Sequence, residues 1–195
     1  PKLFIGYSDI TALLLPLIDL AGISVIHGPN VVSLATAQQE TLDSFYQVIT
    51  GTRLSLDLKD SRILTAGRCT GRLKGGNLST ISHLIGTVYQ PDFTGSVVFI
   101  EDIGEPVYKI DRMLTQLTMA GVFHGIKGVI IGSFEDCDTD MDLLEVIHEH
   151  LCCQGVPVVF GLPCGHGQTN LSLPMGRMVV MDTVRSSLSW KQQKS

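Results

Sequence analysis

Apolar residues along this chain follow two rhythms: short unbroken runs, and longer stretches with apolar positions three or four apart. The first marks buried strands and the second amphipathic helices. Residues 2–5 read as the end of a buried strand, and residues 10–20 as a helix with Leu13, Leu14 and Leu17 on one side. A short strand within residues 22–29 ends in a Gly-Pro turn. Residues 30–37 and 41–50 read as helices, the second with Leu42, Phe45, Val48 and Ile49 at helical spacing and Gly51 as its stop. Strict alternation over residues 53–58 predicts a half-buried strand. Residues 67–73 predict another, followed by a Gly75-Gly76-Asn77 turn and a helix over 78–85. Continuous apolar strands are expected at 96–100, 128–131 and 156–160, with helices at 107–120 (Ile110, Met113, Leu114 and Leu117 inward) and 140–152. Residues 179–181 and 187–190 read as a closing hairpin.

This alternation gives an α/β fold: the end of a Rossmann-like N-terminal domain plus a C-terminal β-rich α/β domain. The boundary falls within residues 51–60, so that residues 1–52 form a remnant of the first domain and 53–195 the second. Hydrophobic residues at 44% and charged residues at 17% describe a globular chain rather than a disordered one. No apolar run approaches the roughly 20 residues that cross a bilayer, so no membrane partner is expected. A net charge of −5 without a basic stripe argues against nucleic acid. Five irregularly spaced cysteines suggest reduced thiols and a cytoplasmic location. The chain opens on Pro1 without an initiator Met, only a few residues before its first strand. Parallel strands need partners on both sides, so upstream sequence, whether removed or present as a separate fragment, is expected to be absent from this chain.

Candidate chemistry sits where three predicted elements end. Gly6-Tyr7-Ser8-Asp9 lies between strand and helix, where a nucleophile elbow would expose a serine Oγ and point N–H groups at developing negative charge. On residues 4–11 alone, Ser8 or Asp9 capping the helix is the favoured account. Glu101 follows the strand at 96–100, and His166 stands between two glycines after the strand at 156–160. Serine, carboxylate and histidine supply a nucleophile, an orienting group and a base. Their order is that of α/β-hydrolases, although order alone is weak support.

Four motifs then carry a resemblance. They are Gly6-Tyr7-Ser8-Asp9-Ile10-Thr11; Gly75-Gly76-Asn77-Leu78 with Gly86-Thr87; Glu101-Asp102-Ile103-Gly104-Glu105 with Tyr108 and Asp111-Arg112-Met113-Leu114; and Gly165-His166 with Leu173-Pro174-Met175-Gly176. Together they resemble the LD-carboxypeptidases, or murein tetrapeptide carboxypeptidases, serine peptidases whose family also includes the microcin C self-immunity peptidases. The resemblance implies Ser8 as nucleophile, Glu101 as triad acid and His166 as base, with no metal and no cofactor. It also implies cleavage of the L,D-amide bond before the terminal D-alanine of a murein tetrapeptide, by a homodimer. Asp9, Gly76 and Asn77 are the expected substrate-binding residues, Asp9 through the N–H that follows the nucleophile. Family members carry an upstream Gly-rich turn whose N–H is thought to complete the oxyanion hole, and no such turn is in this chain. Loss of one such donor costs roughly a hundredfold or more in turnover. A microcin C-type peptidase would be expected to show an aromatic shelf for the base, for which Trp190 is no evident candidate. A non-catalytic binding module is the reading from another class.

Single residues have rival accounts. Glu105 competes with Glu101, which is favoured because it directly follows the strand. Asn77 after two glycines is by default a turn residue tolerating left-handed backbone. Asp111 and Arg112 read as a structural ion pair or cap. Asp138, Asp140, Asp142 and Glu149 copy part of an EF-hand spacing but put Leu143 where glycine is needed. His148, His150, Cys152 and Cys153 invite a zinc reading that helical geometry disfavours. Cys164 reads as a packing residue. His27, His83 and His124 have no partner legible in the sequence.

Overall fold

A computed structural model describes residues 2–52, 55–137 and 140–191. Arg53 and Leu54, which open the expected strand at 53–58, and Asp138 of the acidic segment lie outside the described residues. In chain order the elements are β1 (Ile5–Gly6), α1 (Thr11–Asp19), β2 (Val25–His27), α2 (Val31–Leu34), α3 (Gln39–Ile49), β3 (Ser55–Asp57), β4 (Arg62–Thr65), β5 (Arg68–Asn77) and α4 (Leu78–Leu84). They continue with β6 (Ser96–Ile103), α5 (Val107–Met119), β7 (Gly128–Glu135), α6 (Asp140–Leu151), β8 (Val158–Phe160), β9 (Leu173–Met175), β10 (Met178–Asp182) and β11 (Ser187–Trp190).

Among the described residues two sheets form, one of order β1-β2-β9 and one of order β3-β11-β10-β5-β6-β7-β8-β4. In the larger sheet β5 to β8 run parallel and the flanking strands antiparallel. Both faces of its centre are covered, which is why Val97 to Ile100 form an unbroken apolar run with no more than 1% exposure. Side chains alternate between the faces. Val98, Ile100, Val129 and Ile131 join α4, α5 and α6 in one core, while Val97, Phe99 and Ile130 join β9, β10 and β11 in the other. In α1, Leu15 packs into the first core and Leu14 and Ile18 into the second.

Several expectations need correction. The buried stripe of α1 is Thr11, Leu14, Leu15 and Ile18, whereas Leu13 is 53% exposed. The helix starts one residue later than expected, and the 11-14-15-18 spacing faces both cores. Leu3 and Phe4 are exposed, because β1 is an edge strand paired only with β2 among the described residues. Residues 75–77 form no turn but the last residues of β5, and Gly75 and Gly76 are there for close approach. A Cβ on Gly75 would strike the Phe99 carbonyl, and one on Gly76 the Thr11 hydroxyl. The buried face of α3 is Thr41, Ser44 and Val48, with Ile49 exposed. It is polar because Thr41 Oγ1 and Ser44 Oγ accept the N–H groups of Asn170 (3.0 Å) and Ser172 (2.9 Å).

Strands β4 and β9 were not anticipated. In β9 the Pro174 signal hides a strand that adds antiparallel to β2 at the sheet edge, so residues from both expected segments share one sheet. Trp190 is 5% exposed and its indole N–H donates to Pro174 O at 2.7 Å.

Thr11 joins the two sheets beside the first turn of α1. It is fully buried, and its Oγ1 accepts the Asn77 N–H at 3.0 Å. Thr11→Val keeps the shape and orphans that donor. It is expected to lower unfolding stability by about 1–3 kcal/mol, read from the urea midpoint at unchanged slope.

Candidate active site

The site is assembled at the ends of β1 and β6 and in the loop after β8. The backbone leaves β1 extended at Tyr7 and then reverses at Ser8, whose φ is +59°, before a 3-10 turn over Ser8–Ile10 feeds α1. A non-glycine residue in that region is strained, as a serine presented on an elbow would be. Gly6 makes the reversal possible, since a Cβ there would lie 2.5 Å from Ile10 Cγ2. The helix-cap account loses ground, because neither the 3-10 turn nor α1 has a side-chain cap bond.

Glu101 stands opposite Asn77 in the β5–β6 ladder, where the β6–β7 register shifts between Ile100 and Asp102. Such an irregularity re-aims a side chain. His166 sits in a loop pinned on both sides. Gly165 N–H donates to Asn170 Oδ1 at 3.0 Å, and Gly167 N–H to Ser133 Oγ at 3.1 Å. Gly165 has φ +115°, and a Cβ there would collide with Glu101 Oε2 and lie 2.8 Å from Ser133 Oγ.

These three elements bring the predicted trio within hydrogen-bond reach. His166 Nε2 is 3.0 Å from Ser8 Oγ, and His166 Nδ1 is 2.7 Å from Glu101 Oε2. The Glu101 side chain is fully buried and that of His166 is 13% exposed. Burial pushes the Glu101 carboxyl up, but the hydrogen bond from His166 and the proximity of His27 outweigh it and hold the carboxyl below its ordinary value. Burial likewise pushes the His166 imidazole down, and the bond and charge of Glu101, with the charges of Asp102 and Asp9, lift it above its ordinary value. The arrangement can move a proton from a hydroxyl to an imidazole whose charged form is stabilised from behind.

A cleft of about 290 Å³ opens beside His166, lined by Tyr7, Ser33, Thr36, Gln168 and Asn170 among others. The Tyr7 and Ser33 hydroxyls are 2.9 Å apart, and the Tyr7 ring lies 5.0 Å from that of His166. Asp9 follows Ser8 in the 3-10 turn. Gly76 and Asn77 are buried at the end of β5. Asn77 has φ −67°, so it is not the left-handed turn residue of the default account. Its Oδ1 caps α4 by accepting the Thr80 N–H at 2.9 Å, and its Nδ2 donates to Asp102 Oδ1 at 2.8 Å. Asp102 also accepts the Ser79 N–H and hydroxyl, both at 2.8 Å, and burial raises its carboxyl despite those bonds.

The rivals are occupied elsewhere. Glu105 pairs with Lys109 at 3.1 Å. Asp111 bonds His150 Nε2 at 2.7 Å rather than Arg112, whose guanidinium lies over the Tyr108 ring at 5.1 Å. Cys164 is buried in the second core. Among the described residues no group of three or more His, Cys, Asp or Glu could hold a metal ion, and no helix is long and apolar enough to cross a membrane. Sequence reasoning missed Ser133 and Asn170, which hold the histidine loop, and His27, which lies behind Glu101 with its Nε2 3.9 Å from Glu101 Oε1. His27 follows Ile26 on a strand, and no spacing signal links it to residue 101.

The sequence and fold match known proteins. The family model of the LD-carboxypeptidase C-terminal domain matches residues 70–181. A Bacillus subtilis protein named as a probable murein peptide carboxypeptidase is 32% identical over 96% of this chain and 62% of its own. This chain therefore spans less than two thirds of that relative's length. Among solved structures, the muramoyltetrapeptide carboxypeptidase of Oxalobacter formigenes superposes with a TM-score of 0.85 at 29% identity, over 100% of this chain and 69% of the other. The microcin self-immunity protein MccF, in complex with glutamyl sulfamoyl guanosine, gives 0.88 at 26% identity, over 99% and 68%. With the family model covering more than half of its residues, this chain belongs to the LD-carboxypeptidase family, peptidase S66.

Proposed function

We propose that this chain carries the catalytic residues of a serine carboxypeptidase that removes the terminal D-alanine from murein tetrapeptides. The observation that carries the reading is the continuous path from Ser8 Oγ through both nitrogens of His166 to Glu101. Ser8 Oγ attacks the carbonyl of the L,D-amide while His166 Nε2 takes its proton. Glu101 holds the ring in the tautomer with a proton on Nδ1 and stabilises the imidazolium. The Asp9 N–H donates to the tetrahedral oxyanion, and Gly76 and Asn77 bound the substrate side from the end of β5. His166 passes the proton to the departing D-alanine amine, and water then releases the acyl-enzyme by the same route. The names of the relatives support the substrate class. The five cysteines form no disulfide, which supports a reducing, cytoplasmic setting, and the active form is proposed as a homodimer from the family resemblance.

The test is D-alanine release from a murein tetrapeptide. It is run with this chain and with a version extended at its N-terminus by the segment a full-length relative carries. Release is expected, faster with the extension. Absence of release from both contradicts the reading. The likeness to MccF favours one second reading, cleavage of a peptidyl-nucleotide. Faster turnover of such a compound than of the tetrapeptide would decide for it. Trp190 is buried and bonded to Pro174, and so offers no shelf for a base.

The pH dependence follows from the titration of His166. Its neutral form is the base, and Glu101 lifts its pKa. Activity is therefore expected to fall as pH drops through a midpoint above the ordinary imidazole value of about 6.5. A kcat/KM profile checks this, and an acid limb centred below that value contradicts it.

A further inference from the structure

Glu101 is bracketed by two imidazoles, and the triad uses only one of them. His27 is fully buried, 0% exposed, in the middle of the smaller sheet, with Gly6 of β1 on one side and Leu173 of β9 on the other. Its ring meets Phe99 edge-on at 4.8 Å and Tyr7 at 6.3 Å, so packing fixes its orientation. Its Nε2 lies 3.9 Å from Glu101 Oε1. Among the described residues His27 Nδ1, His27 Nε2 and Glu101 Oε1 are all buried without a hydrogen-bond partner. Two of these atoms, His27 Nε2 and Glu101 Oε1, face one another, and buried polar atoms left unsatisfied are costly and call for an explanation. The gap exceeds a hydrogen bond, which needs about 3 Å, and is too short for a water in line, so a side-chain shift of about 1 Å closes it directly.

We infer that His27 is a positioning residue whose Nε2–H donates to Glu101 Oε1 and fixes the carboxylate that orients His166. The inference rests on the proposed triad. With Oε2 committed to His166 and Oε1 to His27, the carboxylate cannot rotate, and its charge is shared between two donors. A bare Nε2 lone pair facing a carboxylate would be repulsive, so the tautomer is diagnostic. His27 is sealed from solvent and does not line the cleft, so it acts on turnover and not on substrate affinity.

The test is nitrogen-15 NMR of the histidine rings in the unmodified chain, followed by His27→Phe and His27→Gln. In the unmodified chain His27 is expected as the Nε2–H tautomer, and a bare Nε2 overturns the inference whatever the variants do. The charges acting on His166 are Glu101, Asp102 and Asp9, and all three remain in both variants. Removing the competing donor concentrates the Glu101 charge on His166. The His166 titration midpoint should therefore rise in His27→Phe by roughly half a unit or more, and His27→Gln, which keeps an N–H, should restore part of it. An unchanged midpoint in folded His27→Phe contradicts the inference. In the D-alanine assay His27→Phe should lower kcat about tenfold with KM within about twofold, as loss of an orienting partner does. Failure of the unmodified chain in that assay bears on the hydrolase reading, while the NMR results still decide the role of His27.

Discussion

Ser8→Ala is expected to reduce D-alanine release by a factor of about 10⁴ or more, with the fold intact. Removing the hydroxyl removes the atom that attacks, and neither His166 nor Glu101 can replace it. The residual rate would come from binding and the oxyanion donor alone. Alanine also lacks the oxygen that faces His166 Nε2 at 3.0 Å, but it keeps the backbone, so the φ of +59° stays a strained feature rather than a lost one. The measurement is initial rate with thermal unfolding as a control. A variant that turns over as fast as its parent would show that the serine is a bystander.

Glu101→Gln is expected to cost almost as much, about 10⁴ in kcat with KM little changed. The amide has the size of the carboxylate and fits the same buried space. It cannot stabilise the imidazolium, and its NH₂ facing Nδ1 favours the tautomer with the proton on Nε2, which leaves no base facing Ser8. A second consequence has a definite sign. Glu101 is what lifts His166 against burial, so in Glu101→Gln the imidazole should titrate below its parent midpoint. Loss of activity without a fall in that midpoint would place the Glu101 effect in folding rather than in the proton path.

Glu101 also links pH to stability. Its folded pKa lies below the ordinary carboxyl value, so its contribution is complete above that value and is lost as pH falls through the folded one. His166 has the opposite sign. Its raised pKa gives a contribution present at low pH and lost as pH rises through the folded value.

Much of the fold was legible because local pattern and tertiary environment agree. The apolar run at Val97 to Ile100 needs two covered faces, and the helical core on one side of β6 and the β9–β11 core on the other supply them. The 3.6-residue stripe of Ile110, Leu114 and Leu117 is the buried face of α5. Misreadings occur where a residue has two physical uses. Gly75 and Gly76 are turn formers by propensity, yet here they are glycines because the Phe99 carbonyl and Thr11 come too close for a Cβ. Pro174 speaks against a strand, yet β9 lies at an edge where no donor is missed. Thr41 and Ser44 carry no apolar signal for an inward face, and the N–H groups they serve come from residues 170 and 172, which no local window reaches.

The site shows the same division. Ser8 and His166 stand out in the sequence because each lies close to a glycine, Gly6 and Gly165, whose position steric contacts explain, and Glu101 because it follows an apolar run. Asp9 was legible only as the residue after the nucleophile. His27 was invisible, because its significance lies entirely in which residue of another sheet it faces. The choice of Glu101 over Glu105 depended on an expected strand end at residue 100. β6 in fact runs on to Ile103, and what separates the two is their partners, His166 for one and Lys109 for the other.

The central claim, that Ser8 is made nucleophilic by His166, is tested most directly by labelling with a fluorophosphonate, which reacts only with an activated serine. Peptide mapping of the treated chain is expected to find one adduct, on Ser8, that His166→Ala abolishes. An adduct on another residue, or equal labelling of Ser8 with and without His166, would contradict the account.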